Sequence, residues 1–440
     1  MSRRIALVSG HFAPSNLVGA HRARLWSRYL PEFGWEPIVV TGDPREYEEK
    51  PDPDLERLVA PDLRVIYAGT FSTRPVPLLP MRLIGDIGIR SFWGCYRALA
   101  GLAARREIDF VMVTIPSNFL APVGRLVGRR YGLPFGIDYQ DPWISPMPGQ
   151  DKLFTRAWGT DRLGRLLEPF AVHGAALITG MAPGYLAGML ERNPDVARHA
   201  VIATMPMGGA PEDYELVRAL QRPPFLFQPG DGNFHMIYAG ALLPAGLTVL
   251  DAFLAGLAAL RASWPETAAR LRVHFVGTGS SPDDANGHRI LPRARAAGVE
   301  EMVSEHPHRI GYVDALNHQV LSDAVLVLGS TEVHYTPSKV FQAMMSRRPV
   351  FALLHTESTA VAMIEEAGMG CVLGLTESAL PSPDAVATGL NALMNDKARD
   401  LPLVDRAEMQ TYTARDSART LAEALDRACE RSSLASHASG

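Results

Sequence analysis

Three stretches of the chain carry residues whose types and spacing suit chemistry. In residues 331–349, TEVHYTPSKVFQAMMSRRP, Pro337 and Ser338 fit the first turn of a helix. Lys339 then adds a cation beside unpaired backbone N–H groups, a combination that suits a diphosphate. A lysine in a first turn opposes the helix dipole, and a bound anion would offset that cost. Gln342 follows one turn later, where a side-chain amide can hydrogen-bond a sugar hydroxyl. The plain alternative is a surface lysine and a polar helix residue.

The second stretch, FGIDYQDPW at residues 135–143, places Asp138 and Asp141 at the end of an apolar run that reads as a buried strand. Such a pair can bind a hydroxyl-rich ligand or act as a base; equally, Asp141 can accept hydrogen bonds from the loop that Pro142 forces. The third is the turn SGHFAPSNLVGAHRARLWSRYL, starting at Ser9. Here Gly19 allows close backbone approach, the helix that follows offers N–H groups to an anion, and Arg22 and Arg24 can add charge. A simple turn before a solvated basic face reads equally well. This turn is not the dinucleotide pattern GxGxxG, and VGTGSSPDD at residues 276–284 lacks the P-loop lysine. Asp138 and Asp141 are not spaced as the DxD that holds a metal–nucleotide complex. His, Asp, Glu and Cys do not cluster at zinc-like spacing, so no metal is expected.

These residues need elements to position them. Short apolar runs alternate with helical stretches: strands are expected at Ile5–Gly10, Pro37–Gly42, Arg64–Gly69, Asp109–Thr114, Pro134–Asp141, Ala176–Met181 and Ala200–Met205. The runs are apolar throughout, as strands covered on both faces of a parallel sheet must be. QRPPFLFQPGDGN at residues 221–233 interrupts the pattern and reads as a linker. Strands resume at Phe234–Gly240, Leu271–Gly279, Arg309–Val313, Ala324–Ser330, Pro349–His355 and Gly370–Leu375. The reading is α/β with two Rossmann-like domains: 1–220, a linker at 221–233, and 234–400, with a helix within 401–430 packing back towards the first domain and a frayed tail after it. Open sheets of this kind bind ligands at the carboxyl ends of their strands, so a cleft between two such domains is the expected site.

Composition agrees with a large globular chain: 440 residues, 47% hydrophobic and 20% charged. The formal charge of −4 argues against nucleic acid as a partner. Three well-separated cysteines, Cys95, Cys371 and Cys429, give no disulfide framework and fit a reducing compartment. No signal-peptide core is read at the N-terminus and no unbroken run of 18 apolar residues occurs, so the expected location is cytoplasmic. Arg74–Arg106 mixes arginines with Phe92, Trp93 and Tyr96. This is either a core helix with a solvated basic face or a surface for peripheral contact with the inner face of an anionic membrane.

With these residues in view, the chain resembles GT-B glycosyltransferases of the large retaining group that includes bacterial cell-surface sugar transferases. The likeness runs over about residues 4–395. It rests on the opening strand, glycine-bearing loop and helix; on DYQDPW, which is similar to the group's DxRDPW; on MPMGGAPEDYE; and on MIYAGALL, VHFVGTG, HRIGYVDAL and TPSKVFQAMMSRRPVFAL. The resemblance implies a nucleoside diphosphate sugar as substrate, no cofactor and no obligatory metal. It also implies an acceptor, a sugar or lipid-linked intermediate of polysaccharide synthesis, held by the N-terminal domain. Ser338 and Lys339 would hold the diphosphate, Gln342 would take the ribose position, Gly19 would let the N-terminal loop reach the donor, and Arg309 and Gly311 would border the base. Asp141 and Lys339 would carry the catalysis. The group's Glu-x7-Glu pair would fall on His334 and Gln342, and Ala241–Leu243 replace a frequent basic residue. These departures leave open a catalytically silent binding or assembly protein of the same fold, or a sugar epimerase.

Overall fold

In the computed structural model, which describes residues 2–72, 86–144, 150–242, 244–279, 287–332, 337–395 and 412–438, the apolar runs form two parallel sheets. The chain divides into two units, Met1–Gly208 with Ala414–Gly440, and Gly209–Thr413.

In the first unit the strands are β1 (Arg3–Ser9), β2 (Trp35–Gly42), β3 (Arg64–Ala68), β4 (Phe110–Ile115), β5 (Phe135–Tyr139), β6 (Leu177–Gly180) and β7 (Val201–Thr204). They lie in the order β3-β2-β1-β4-β5-β6-β7. Ile5–Val8 and Val111–Val113 are fully buried because helices cover both faces. In the second unit β8 (Phe234–Ala239), β9 (Leu271–Val276), β10 (Val303–His306), β11 (Ala324–Leu328), β12 (Val350–His355) and β13 (Gly370–Leu375) lie in the order β10-β9-β8-β11-β12-β13. Strand order reverses between β1 and β4 in one sheet and between β8 and β11 in the other. In open parallel sheets the crevice at such a reversal, beyond the strand carboxyl ends, is where ligands bind.

Helix Leu247–Ser263 is apolar and long enough, with the turn before it, to meet the length and composition of a membrane span. It is instead a core helix: Phe253, Leu257 and Leu260 are buried, and Gly256 lies so close to Val386 that any side chain there would collide.

Three expectations are corrected. Arg309–Val313 is not a strand: β10 ends at His306, and Gly311 stands at the N-cap of helix Tyr312–Leu321, whose first turn carries Asp314. The break between units falls at Gly208/Gly209 rather than at 221–233. Residues 221–233 are irregular, as their proline and glycine content demands. They nonetheless sit inside the second unit, where Phe227 stacks on His235 and His274, and the preceding helix Pro211–Leu220 packs against Tyr312–Leu321. The tail does not fray at residue 431: helix Ala414–Ala438 runs through it, with the Ser432 hydroxyl donating back to the Ala428 carbonyl. This helix belongs to the first unit, where Ala418, Leu421 and Leu425 are buried, the Trp26 indole donates to Ser417 and Arg3 pairs with Asp426. The proposed start of that helix, before residue 412, lies outside the described residues.

Candidate functional site

The second unit's sheet reversal is flanked by Gly240, just after β8, and by the segment that leads from β11 into helix Lys339–Met345. Gly240 adopts φ +112°, and a Cβ on it would lie 2.7 Å from Cε of Lys339. Only glycine both accepts this backbone and leaves the lysine its space. Lys339 therefore reaches across the reversal. Its Nζ donates to the Ala241 carbonyl at 2.6 Å and to the Tyr238 hydroxyl, and it lies 4.2 Å from the centre of the Tyr238 ring. No carboxylate pairs with it among the described residues. Burial without a counter-charge pulls its pKa down to about 7. A cation held in this way gains from any anion that reaches it.

The neighbouring loops are tied together by backbone. Gly240 N–H donates to Val276, Leu242 N–H to Thr278, Gly277 N–H to His306 and Gly279 N–H to Pro307. Gly277, at φ +68°, packs beside Gly240, and the Cα of Arg309 passes within 3.9 Å of its Cβ position. Arg309 is exposed on this rim, followed by Gly311. Ser338 occupies the N-cap position of the Lys339 helix, and Gln342 lies on the same face as Lys339, one turn later. The structure thus brings Ser338, Lys339, Gln342, Arg309 and Gly311 to the carboxyl edge of one sheet. The Tyr214 hydroxyl donates to the Gln342 carbonyl at 2.6 Å, and Tyr312 donates to the buried carboxylate of Asp213 at 2.9 Å. These two contacts fix the helices around the site. Tyr238, Gly240, Asp213 and Tyr214 were not singled out from sequence; the glycine that closes the run FHMIYAG, two residues after its tyrosine, was the available signal. His334 lies outside the described residues, as do residues 280–284 of VGTGSSPDD.

The first unit holds the remaining candidates. Asp138 is fully buried and occupied: Arg22 donates twice to it, at 3.1 Å each, and Thr179 once at 2.7 Å. Arg22 also donates to the Met205 and Pro206 carbonyls and stacks on Trp26. This closed network is structural, so neither Asp138 nor Arg22 meets a ligand as the spacing allowed. Arg24 is buried as well. Asp141 differs. It stands exposed on the loop after β5, with no hydrogen-bonding partner among the described residues, yet the protein crowded around its carboxyl pushes its pKa up to about 6. Gly19 lies within helix Val18–Tyr29, where a Cβ would come within 3.0 Å of Pro116, so this glycine seats the helix against the turn after β4. Of Arg74–Arg106, residues 74–85 lie outside the described residues. The rest is mainly helix Ile87–Ala104, whose Cys95, Leu99 and Leu102 enter the core while Arg90 donates to the Phe71 and Glu46 carbonyls. Among the described residues no group of three or more His, Cys, Asp or Glu is placed to hold a metal.

The architecture is that of the GT-B glycosyltransferases, two parallel α/β units with the first sheet ordered as in nucleotide-binding folds. The particular likenesses are remote in sequence and complete in extent. A glycosyltransferase from Rickettsia africae superposes with a TM-score of 0.57 at 12% identity, covering 96% of this chain and 97% of its own. Anabaena HepE in complex with UDP and glucose gives 0.59 at 14% identity over 96% and 99%. A trehalose 6-phosphate synthase from Burkholderia multivorans gives 0.58 at 16% over 100% and 98%. No protein-family model matches the sequence, and no curated protein matches it.

Proposed function

We propose that the protein is a glycosyltransferase that moves a sugar from a nucleoside diphosphate donor to an acceptor hydroxyl. The observation that carries this reading is Lys339, an under-compensated cation held across the sheet reversal by a glycine that must be glycine. The second unit binds the donor: Lys339 and Ser338 take the diphosphate, Gln342 a ribose hydroxyl, and Arg309 and Gly311 border the base. Charge builds on the diphosphate as the glycosidic bond breaks, and Lys339 stabilises it; one such donor is typically worth about 10²–10³ in rate. Asp141 orients the acceptor hydroxyl. Transfer of a hexose with retention of configuration and without metal, a polysaccharide or lipid-linked acceptor, and a cytoplasmic setting complete the reading. Support for peripheral membrane contact through Arg74–Arg106 is limited to Trp93, 55% exposed on its helix. HepE structures containing UDP and UDP-glucose support a uridine nucleotide as the first probe. Calorimetry with UDP, followed by measurement of UDP release from UDP-glucose, tests the proposal. Weakened UDP binding in Lys339→Ala is the expected result, and unchanged binding removes Lys339 from the site. A second reading, a silent binding protein, is favoured by Gln342 in place of an acid; it predicts UDP binding with no release.

A further inference from the structure

Residues 221–233 run along the second unit as an irregular strap, and histidines hold it in two places. Helix Pro211–Leu220 ends at Gln221, whose φ of +46° is a left-handed conformation that a side chain adopts only at a cost. Helix Tyr312–Leu321 then clasps the strap. Arg222 pairs with Asp314 at 3.0 Å, and the Asn317 amide donates to the Arg222 carbonyl at 2.9 Å. The Phe225 N–H donates to Nε2 of His318 at 3.1 Å, while Nδ1 of His318 donates to the Asp314 carbonyl at 2.6 Å. A carbonyl can only accept, so this clasp needs a neutral imidazole with its lone pair on Nε2. A second proton on the ring would set two N–H groups against each other. Although Phe225 is exposed, its ring lies edge-on to His318 and His306, 4.5 and 5.5 Å between centroids, and His318 is buried. The second fastening is Phe227, stacked at 4.6 Å on His235 and 5.3 Å on His274. Those rings form a hydrogen-bonded row: Asp231 to Nε2 of His235 at 3.0 Å, Nδ1 of His235 to Nε2 of His274 at 3.0 Å, and Nδ1 of His274 to the Ser304 hydroxyl at 2.7 Å. With both rings neutral, each gap holds one proton. The row accepts one more, balanced by Asp231, but not two, because the facing nitrogens of His235 and His274 would then both carry hydrogen.

The groups around these rings set their response to acid. His318 faces Asp314 on its own helix, His306 from β10 and His274 from β9, with Arg222 of the strap paired to Asp314. His274 faces His235, His318, Arg272 and Asp231; Asp323 accepts from the His235 backbone N–H, and His308 faces His306. Burial, and after it the neighbouring imidazoles and Arg272, pulls His274 down to about 4. Burial likewise holds His318 below its ordinary 6.5, outweighing the Asp314 contacts that act the other way. On a released strap the rings meet water and recover that value. The released form therefore binds more protons than the fastened one, and fastening weakens as pH falls below about 6.5. We infer that residues 221–233 are a pH-sensitive strap, fastened while His318 is neutral and released when it is protonated, and that release loosens the donor site. The second half rests on the donor-site reading. Its link is helix Pro211–Leu220, directly before the strap: Tyr214 holds the Gln342 carbonyl, and Asp213 accepts from Tyr312 at the start of the helix that carries His318. Release removes the tie at the other end of both helices, and every one of these groups belongs to the second unit. The device acts on the acid side, opposite to the loss of charge on Lys339 above pH 7.

The test uses the full chain. Hydrogen exchange without nucleotide, read on the peptide spanning residues 221–233 and corrected for the intrinsic pH dependence of exchange, follows the strap from about pH 7.5 to about pH 4.5. Opening should grow by up to about tenfold per pH unit for each histidine that takes a proton, while β8 and β11 stay protected. His318→Gln supplies an oxygen to the Phe225 N–H and cannot titrate, so its strap should stay protected where the wild-type strap opens. Phe227→Leu removes the stack and should move opening to higher pH; it decides if His318→Gln fails to fold. A wild-type strap indifferent to pH, one that opens only together with β8 and β11, full acid sensitivity in a folded His318→Gln, or an unmoved midpoint in Phe227→Leu overturns the inference. Calorimetry with UDP over the same range reads the link to the donor site. UDP itself takes up a proton near pH 6, so the comparison is between proteins: wild-type affinity should fall more steeply in acid than that of His318→Gln. Equal pH dependence in the two, with the strap opening in one, overturns the link. No UDP binding at any pH overturns the donor-site reading instead, and the exchange result still decides whether the strap exists.

Discussion

Two aspartates three residues apart in one peptide have opposite fates, and the difference can be measured. Asp138 neutralises a buried arginine, so Asp138→Asn leaves Arg22 charged without its partner; breaking such a pair typically costs about 3–5 kcal/mol. Asp141 has a folded pKa of about 6, above its ordinary value of 3.8. Between those values the folded state binds more protons than the unfolded one, so this group's contribution to stability falls as pH rises from about 4 to about 6. Asp141→Asn should therefore leave the melting temperature at neutral pH unchanged or raised, with transfer reduced; a large drop in melting temperature would return Asp141 to a loop-holding role. Lys339 shows the converse. Its folded pKa of about 7 lies below the 10.5 of a free lysine, so the unbound protein carries it partly neutral just above pH 7. Binding of a diphosphate should restore the charge. Calorimetry in buffers of different ionisation enthalpy should then show proton uptake with UDP, and affinity should weaken as pH rises above 7. In Lys339→Ala the uptake should vanish and binding should weaken by about 1.5–3 kcal/mol, the usual worth of a hydrogen bond to a charged group.

At the scale of elements, the donor site depends on how closely β8 and the start of the Lys339 helix approach each other. Gly240→Ala places a Cβ 2.7 Å from Cε of Lys339 and forces alanine into a left-handed backbone. Strain of that kind costs about 1–3 kcal/mol, and either the strand end or the lysine must move. The expected outcome is a modest loss of melting temperature with a larger loss of UDP affinity, read by thermal shift with and without UDP. For the wild type, UDP at 100 times its dissociation constant should add about 2.7 kcal/mol of stability; Gly240→Ala should retain little of it at the same concentration. Tyr214→Phe removes the hydroxyl that holds the Gln342 carbonyl and should cost about 0.5–1.5 kcal/mol.

At the scale of the whole molecule, the chain returns its last helix to the unit that holds its first strand. Leu421 and Leu425 are buried there, so Leu425→Ala should cost about 2–5 kcal/mol in the unfolding of the first unit. Scanning calorimetry should show that unit's transition shifted down, with UDP still raising the transition of the second unit. A shift confined to the UDP-sensitive transition would assign the helix wrongly.

Much of this molecule was written in its sequence. Strands buried on both faces must be apolar throughout, so Ile5–Val8, Asp109–Thr114 and Ala324–Ser330 announced parallel sheets before any contact was known. Pro337–Ser338–Lys339 announced a helix start with a misplaced cation, because capping and dipole effects act within a single turn. Other features depended on partners remote in the chain. That Asp138 is silenced needs Arg22, 116 residues away, and that Lys339 is held needs Tyr238 and Ala241, about 100 residues earlier. The strand expected at Arg309–Val313 became a loop and a helix start, since a short apolar run holds no information about which edge of a sheet will receive it. The pairing of His11 with Glu49 belongs to the same class. A turn after β1 and a loop after β2 meet only because β1 and β2 lie side by side in register, and tertiary structure alone decides that.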